Sequence, residues 1–339
     1  MSAMFLLLLV SLFSCNKKTG NATPDVAPAN LMVNATISDD KSGTVTFTAS
    51  ATNAISYDYD FGNGVYETSA SGALIYKYPT SGNYTVTVTA KSKAGLKISK
   101  TIPVVVTVAL SLVWSDEFNT AGAPDASKWG YDIGTGSGGW GNNELQYYTN
   151  RAENAFVSNG ILKITALKEN YSGSAYTSSR LLTKNKFSTK YGKIEVRAKL
   201  PVGVGTWPAI WMLGNNIDVV GWPACGEIDI MEHKGSDQNR VYGTLHHPNH
   251  FGGNGDGATV VIPTTATEFH NYAVEWNAEI IKFSVDGNVF YTFNNKSNLP
   301  FNQNFFIILN LAMGGTFGGP VDPAFNNASM EVDYVRVYN

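Results

Sequence analysis

Three carboxylates lie within six residues of an otherwise apolar stretch of this 339-residue chain, at Glu227, Asp229 and Glu232. Side chains of a β-strand alternate between its two faces, so Glu227 and Asp229 share a face that strict alternation denies to Glu232. Burying a lone ionised carboxylate in the opposite, apolar face is costly. We therefore predict a β-bulge at Ile230 and Met231, which returns Glu232 to the face of the other two acids.

Three acids on one face repel one another, which destabilises a strand unless the acids serve a function. Two carboxyl groups across a narrow gap suit the cleavage of a glycosidic bond, because one can attack the anomeric carbon while the other protonates the departing oxygen. A separation of about 5–5.5 Å gives retention of configuration through a glycosyl-enzyme intermediate. The predicted bulge makes that separation reachable. For the three acids alone, a solvated acidic strand is the alternative interpretation.

Aromatic side chains precede the acids. Trp207 and Trp211 have the same parity in a predicted strand, which puts both rings on one face about 13 Å apart, the span of about two or three sugar rings. Trp222 adds a third ring. Packing of Trp207 and Trp211 in the core is the alternative. A Gly-flanked segment at 138–148, rich in amides and aromatics, also fits a glycan cleft.

The acid segment and the tryptophan segment together resemble a known family. The sequences Glu-Ile-Asp-Ile-Met-Glu at 227–232 and Trp-Pro-Ala-Ile-Trp-Met-Leu at 207–213 are similar to the active-site signature of family-sixteen glycoside hydrolases, in the laminarinase branch with a bulged catalytic strand. The resemblance covers residues 111–339. It implies an all-β catalytic domain, a concanavalin-like jelly-roll sandwich. The strand pattern agrees with two stacked antiparallel sheets, one of which carries the acids.

The resemblance also implies a role for each acid. Glu227 is the nucleophile, Asp229 is the residue that hydrogen-bonds to it, and Glu232 is the acid/base. Elementary electrostatics agrees, because Glu232 faces two other acids and should have a raised pKa, while Glu227 stays ionised. No cofactor is implied for catalysis.

Substrate-binding residues follow from the same resemblance. It puts Asn143 and Glu144 on the nonreducing side of the cleavage point, matches Arg180 to a sugar-contacting arginine, and puts His246 near the cleaved bond. Without the resemblance, Arg180 is interpreted as a surface charge.

A structural calcium ion is implied as well, held by Glu117 and Asp333 near the two ends of the catalytic domain. Carboxylates are ligands that Ca²⁺ prefers. Ordinary surface charge is the alternative interpretation of these two acids.

Composition narrows the class of partner. The net charge is −3 and 15% of residues are charged, whereas a nucleic-acid partner calls for a basic stripe. A neutral β-glucan polysaccharide fits better. The 33 Gly, 17 Tyr, 17 Phe and 7 Trp, without long helical periodicity, indicate an all-β protein with an aromatic-lined site.

The chain has two cysteines, Cys15 and Cys225. If Cys15 carries lipid, Cys225 has no partner within the chain, which excludes a disulfide framework.

The first residues have the pattern of an export signal. Residues 5–10 are apolar but too few to span a bilayer as a helix, and Leu-Phe-Ser-Cys at 12–15 resembles a bacterial lipobox, in which Cys15 is lipidated. The missing basic residue before the apolar run departs from that pattern, and an uncleaved anchor or a soluble leader is the alternative. We predict a signal peptide over 1–15 and a flexible tether over 16–30.

Short alternating strands separated by Gly, Asn and Ser turns predict a small β-sandwich over residues 31–108. Tyr-Asp-Phe-Gly-Asn-Gly at 59–64 resembles a PKD domain, which is immunoglobulin-like, with Asn63 where the pattern usually has Asp. Asp60 and Asn63 are expected to form a turn rather than to bind metal. A spacer is the favoured role of this domain, and glycan binding is the alternative.

Together these features predict a monomeric retaining endo-hydrolase of β-1,3-glucan, with mixed-linkage β-1,3-1,4-glucan as a second substrate. It is expected at the outer membrane or cell surface, or secreted. A non-catalytic glycan-binding protein and an enzyme acting on an algal galactan are the alternatives. The presence of all three acids argues against the first, and the loops of the cleft must decide the second.

Overall fold

A computed structural model describes residues 25–339, which form parts of two compact units that meet in sequence between Ala109 and Leu110. Cys15 and the predicted signal peptide lie outside the described residues. The all-β class predicted from the sequence is confirmed, since almost every regular element is a strand.

The end of the predicted tether belongs to the folded first unit. Asp25 accepts hydrogen bonds from the Ser92 hydroxyl and from the backbone N–H of Ala94, and the first strand begins at Ala29. The prediction of a flexible tether over residues 16–30 is therefore wrong for residues 25–30. The composition of this segment, rich in Pro and Ala, does not predict this contact, because the Ser92 partner of Asp25 lies 67 residues away in the sequence.

The first unit is a sandwich of two antiparallel sheets, of three strands in the order β1-β2-β5 and four in the order β4-β3-β6-β7. Its strands are β1 (Ala29–Ile37), β2 (Thr44–Thr52), β3 (Ser56–Asp60), β4 (Tyr66–Ser69), β5 (Ala73–Lys77), β6 (Gly82–Lys91) and β7 (Lys97–Val106). Buried aromatics such as Phe47, Tyr59 and Phe61 fill the space between the sheets. The Asp60 carboxylate accepts the backbone N–H of Gly62, so this acid forms a turn as predicted.

The second unit contains seventeen strands. They are β8 (Leu112–Asp116), β9 (Gly130–Asp132), β10 (Gln146–Tyr148), β11 (Ala155–Ser158), β12 (Ile161–Tyr171), β13 (Ser174–Ser178), β14 (Arg180–Leu182), β15 (Gly192–Lys199), β16 (Thr206–Gly214), β17 (Glu227–His233), β18 (Arg240–His246), β19 (Asp256–Val261), β20 (His270–Trp276), β21 (Ile280–Val285), β22 (Asn288–Asn294), β23 (Phe305–Met313) and β24 (Asn327–Tyr338).

Helical segments are short. They comprise α1 (Ile217–Val220), α2 (Gly315–Gly318), a 3₁₀ turn (Gly252–Asn254) and a helical turn (Gly139–Asn143) whose φ angles are partly positive. Within residues 25–339, no helix has both the length and the apolar character needed to cross a bilayer.

Two large sheets enclose the core of the second unit. One has the order β19-β18-β17-β16-β23-β14-β9, and the other contains β10, β13, β12, β24, β15, β20, β21 and β22, with β8 and β11 attached. The core includes Ile210 and Ile228 from the first sheet and Val196 and Val335 from the second. Because alternate side chains of β16, β17 and β23 fill this core, the intervening side chains point to the opposite face of the seven-stranded sheet, where the candidate site lies.

Candidate active site

The acid-bearing strand β17 contains the predicted bulge. Its pairing with β16 passes from Met231 to Asp229, so Ile230 is skipped. Its pairing with β18 jumps between Asp229 and Glu232, so that Ile230 and Met231 oppose Gly243. Both inserted side chains are buried in the core. The bulge therefore puts all three acids on the outer face, as the sequence predicts.

Glycine is required opposite the bulge for steric reasons. A Cβ atom on Gly243 would lie 2.9 Å from the ring of Phe290 and 3.0 Å from that of Phe283. These rings come from the other sheet and fill the core beneath the bulge. The extra residues of β17 are thus accommodated by the absence of a side chain on β18.

Each glutamate receives a hydrogen bond from a tryptophan. The indole N–H of Trp222 donates to Oε2 of Glu227 over 2.8 Å, and that of Trp207 donates to Oε1 of Glu232 over 3.0 Å. The hydroxyl of Thr244 donates to the other oxygen of Glu232 over 3.4 Å. These donors favour the ionised form of the carboxyl group that they contact.

Asp229 lies between the glutamates and is almost completely buried. Its Oδ2 atom is 3.3 Å from Nε2 of His246, which is itself 3.8 Å from Oε1 of Glu227. His246 thus approaches both acids from β18, and the prediction that it lies near the reacting centre agrees with its position in the cleft.

Burial raises the pKa of all three carboxyl groups. For Glu227, burial has the largest effect, and the charge of Asp229 adds to it. For Asp229, burial and then the charge of Glu232 raise the pKa. The pKa of Glu232 is raised in the predicted direction, but by burial and not by the charges of the other two acids, and the Trp207 hydrogen bond opposes the rise.

The expectation that Glu227 simply stays ionised is wrong for the isolated site. Only 16% of the Glu227 side chain is exposed, and this burial together with the charge of Asp229 raises the pKa of its carboxyl group. One proton shared by Glu227 and Asp229 leaves a single negative charge on this pair, and Glu227 is the anion when Asp229 holds the proton.

The acids lie in an open cleft of about 870 Å³. Most of the predicted binding residues line it, namely Glu144, Arg180, Trp207, Trp211, Trp222 and His246. Trp222 is the most exposed of these three tryptophans, with 46% of its surface exposed. The predicted positions of Trp207 and Trp211 on one face of β16 are confirmed, because both are partly exposed to the cleft.

Asn143 does not line the cleft, which differs from the prediction. It is exposed and has a φ of 57°, whereas its neighbour Asn142 lines the cleft and donates to Glu144 over 3.3 Å. The segment turns through glycines and other residues with positive φ, so neither strand nor helix periodicity predicts which amide points inward.

Arg180 is a buried part of the cleft wall. Its guanidinium lies between the rings of Trp140 and Trp211, 4.7 Å from each centroid, and its Nε atom is 3.0 Å from Oδ2 of Asp132. Sequence reasoning missed Trp140 and Asp132 as partners. The local sequence contains no signal for them, because β9, β14 and the helical turn meet only in the folded sheet.

Other cleft residues were missed individually. Phe251 and Gly255 come from the Gly-rich segment 249–257, and Phe317 comes from α2. The ring of Phe251 meets that of Trp222 edge-on at 5.5 Å.

Glu117 and Asp333 do not form a calcium site with their side chains. The Glu117 carboxylate accepts two hydrogen bonds from Arg336, at 2.8 and 3.0 Å, and Asp333 is paired with Arg197. Each acid is already neutralised by a guanidinium. The side chains present therefore do not fit the predicted ion, and these contacts favour the surface-charge alternative.

Comparison with known proteins defines the family. The model described as "Glycosyl hydrolases family 16" matches residues 142–336, more than half of the chain. The chain belongs to glycosyl hydrolases family 16. A PKD domain model also matches residues 22–106. This family 16 protein is thus a glycoside hydrolase with a PKD domain, as the sequence predicted.

The chain covers its relatives to different extents. A beta-glucanase from Rhodothermus marinus is 49% identical over 243 residues, which are 67% of this chain and 84% of the relative. Glucan endo-1,3-beta-glucosidase A1 from Niallia circulans is 40% identical over 262 residues, but this chain spans only 38% of its length. The solved laminarinase from Rhodothermus marinus superposes with a TM-score of 0.65 at 48% identity, over 68% of this chain and 98% of that structure.

We expect Glu227→Gln to stabilise this family 16 enzyme at neutral pH. The folded-state pKa of Glu227 is raised, so the wild type loses stability as pH rises from the unfolded carboxyl value towards the folded one. Each kcal/mol gained in the free energy of unfolding should raise the melting temperature by about 2–4 °C. Calorimetry at pH 7 and pH 4 measures the difference, which should shrink at pH 4.

The control is Glu268→Gln, which changes an exposed glutamate and should leave the melting temperature unchanged at both pH values. A Glu227→Gln variant that is less stable than wild type at pH 7 would contradict the raised pKa.

Proposed function

We propose that this enzyme hydrolyses internal β-1,3 links of laminarin-type glucan with retention of configuration, and that mixed-linkage β-1,3-1,4-glucan is a second substrate. The observation that carries the proposal is a pair of partly buried glutamates on one face of a bulged strand, each with an indole donor, in an open aromatic cleft. The names of the Rhodothermus and Niallia relatives support the β-glucan class.

The contacts support a division of labour between the acids. Glu227 attacks the anomeric carbon as its carboxylate, and Glu232 donates its proton to the departing glycosidic oxygen. Water then enters, Glu232 removes its proton, and the bond between Glu227 and the sugar breaks. We assign the proton of this pair to Asp229, because Glu227 must be anionic to attack and a protonated Asp229 adds no third charge to the site.

The cleft walls support a neutral, extended substrate. Trp207, Trp211 and Trp222 offer apolar ring surface, and an open cleft lets a polysaccharide enter along its length rather than by its end. The Arg180 guanidinium already contacts two indole rings, which reduces the part of it that is available to hydroxyl groups.

The substrate is tested by measuring reducing-sugar release from laminarin, barley mixed-linkage glucan, agarose and porphyran. We expect the highest rate on laminarin, a lower rate on barley glucan and none on the galactans. Glu232→Gln should lower the laminarin rate by at least about 10²-fold. Cleavage of agarose or porphyran alone would favour the galactan alternative, and binding without cleavage of any would favour a glycan-binding protein.

The roles of the two glutamates are separated by azide with an aryl β-glycoside of laminaribiose. In Glu227→Ala, azide forms a bond to the anomeric carbon from the vacated side, the aryl oxide leaves, and the product is the α-azide. In Glu232→Ala, the glycosyl-enzyme forms first and azide displaces Glu227, which gives the β-azide. NMR of the products identifies the anomer, and exchanged outcomes would reverse the assignment.

Trp207→Phe should shift the alkaline limb of the pH profile to higher pH. The variant keeps a ring but loses the N–H that favours ionised Glu232, so the pKa of Glu232 rises further. The alkaline limb of kcat/KM requires protonated Glu232 and should shift to higher pH, with roughly a tenfold loss at the optimum.

Trp211→Phe is the matched control, because the Trp211 indole donates to Asn310 and not to an acid. Its alkaline limb should match that of wild type. An unmoved limb in Trp207→Phe would show that Glu232 is not the proton donor.

We propose in addition that the enzyme is exported and anchored by lipid on Cys15, a residue outside the described part of the chain. The support is the lipobox-like sequence at 12–15. The expected monomeric state stays a prediction.

Metabolic labelling with an alkyne fatty acid tests the anchor. Cys15→Ala should lose the label and leave the membrane fraction. Cys225→Ala, which changes the only other cysteine, should retain both. Label that persists in Cys15→Ala would contradict the proposal.

A further inference from the structure

Two histidines and an aspartate gather at the rim of the cleft, apart from the three acids. His247 and His250 lie in the connection from β18 to β19, and Asp256 begins β19. Nε2 of His247 is 2.8 Å from Oδ2 of Asp256, and Nδ1 of His250 is 2.8 Å from Oδ1 of the same carboxylate. The potential ligand atoms of the three residues all lie within 4.8 Å of one another.

The backbone holds the two imidazoles side by side. His247 and His250 form an antiparallel bridge with reciprocal N–H to carbonyl hydrogen bonds of 2.9 Å. Their rings stack with centroids 5.3 Å apart and an angle of 28° between planes. Asp256 is positioned independently, because it pairs with Leu245 in the sheet. The three donors are therefore brought together by strand pairing before any ligand binds.

We propose that His247, His250 and Asp256 bind one divalent transition-metal ion of the zinc class. Two imidazole nitrogens and one carboxylate are a donor set that such ions take, whereas Ca²⁺ and Mg²⁺ require oxygen ligands. The ion replaces the two hydrogen bonds to Asp256 and binds both imidazoles in their neutral form.

The three ligand residues differ in their exposure to solvent. The His250 side chain is 48% exposed and Asp256 is 25% exposed, so an ion can enter from solvent. His247 is buried, and its ring meets that of Phe301 edge-on at 5.8 Å. A partly open site with three protein ligands leaves the remaining position to water.

The ion would fasten a segment that forms one wall of the cleft. Phe251 follows His250 directly and packs on Trp222, the indole that donates to Glu227. Gly255 precedes Asp256, and a Cβ atom there would lie 2.7 Å from the ring of His246. Metal binding itself does not depend on the proposed β-glucanase activity.

The experiment must distinguish this site from a second group of potential ligands. Glu227, Asp229 and His246 also bring ligand atoms within 4.8 Å of one another. Zinc bound there would be lost in Glu227→Gln, whereas zinc bound at the rim would be lost in His250→Ala.

The test is equilibrium dialysis of the metal-free, tagless full chain against zinc, followed by elemental analysis. We expect one equivalent of zinc in the wild type and in Glu227→Gln. His250→Ala should raise the Kd for zinc by about tenfold or more, since loss of even an outer partner of a ligand costs that much. The melting temperature should rise with zinc in the wild type but not in His250→Ala.

Asp256→Asn and Asp286→Asn form a matched pair. Asp286 contacts a single imidazole, that of His270, at 2.7 Å, so only Asp256→Asn should weaken zinc binding. Circular dichroism in chelator verifies that each variant is folded. If a variant at the rim does not fold, electron paramagnetic resonance of the Cu²⁺-loaded wild type reports whether two nitrogen ligands are present. Absence of bound zinc, or its loss in Glu227→Gln alone, would overturn the proposal.

Discussion

The structure depends on one conflict, which is the gathering of three carboxyl groups on a single strand. Alternation in β17 would send Glu232 into the core, and the bulge at Ile230 and Met231 prevents this. The bulge exchanges one buried charge for two buried apolar side chains. It also concentrates like charge on the outer face, where the indoles of Trp207 and Trp222 are donors to the glutamates.

Stability for this arrangement comes from the opposite face of the same sheet. The inward side chains of β16, β17 and β23 form one apolar layer against the second sheet, so most of the energy that holds β17 lies away from the acids. The raised pKa values follow from the same geometry, because neighbouring strands exclude water from the acids. A site that is unfavourable by itself is thus maintained by a large core.

The wall of the cleft combines parts with different degrees of constraint. Arg180 belongs to the sheet, and its guanidinium is fixed by the rings of Trp140 and Trp211 and by Asp132. The segment with Phe251 is instead attached through His247, His250 and Asp256, whose contacts are polar and partly exposed. The cleft wall on that side therefore depends on a small polar cluster, of which only His247 packs against the core.

The sequence by itself determined the elements whose pattern is local. The three acids, the bulge that unites them, the shared face of Trp207 and Trp211 and the all-β class all follow from strand periodicity and the cost of burying charge. The family resemblance added Glu144, Arg180 and His246, which are present in the cleft.

Only the tertiary structure decided what depends on distant partners or on irregular backbone. In the structure Asn142, and not Asn143, lines the cleft. The sequence could not show this, because the glycine-rich turn has positive φ values and follows neither strand nor helix periodicity. It paired Glu117 and Asp333 with arginines, and it left only a small part of Glu227 exposed, so that the pKa of this carboxyl group rises. In each case the outcome depends on groups from different strands, whose distances are set by sheet packing and not by spacing along the chain.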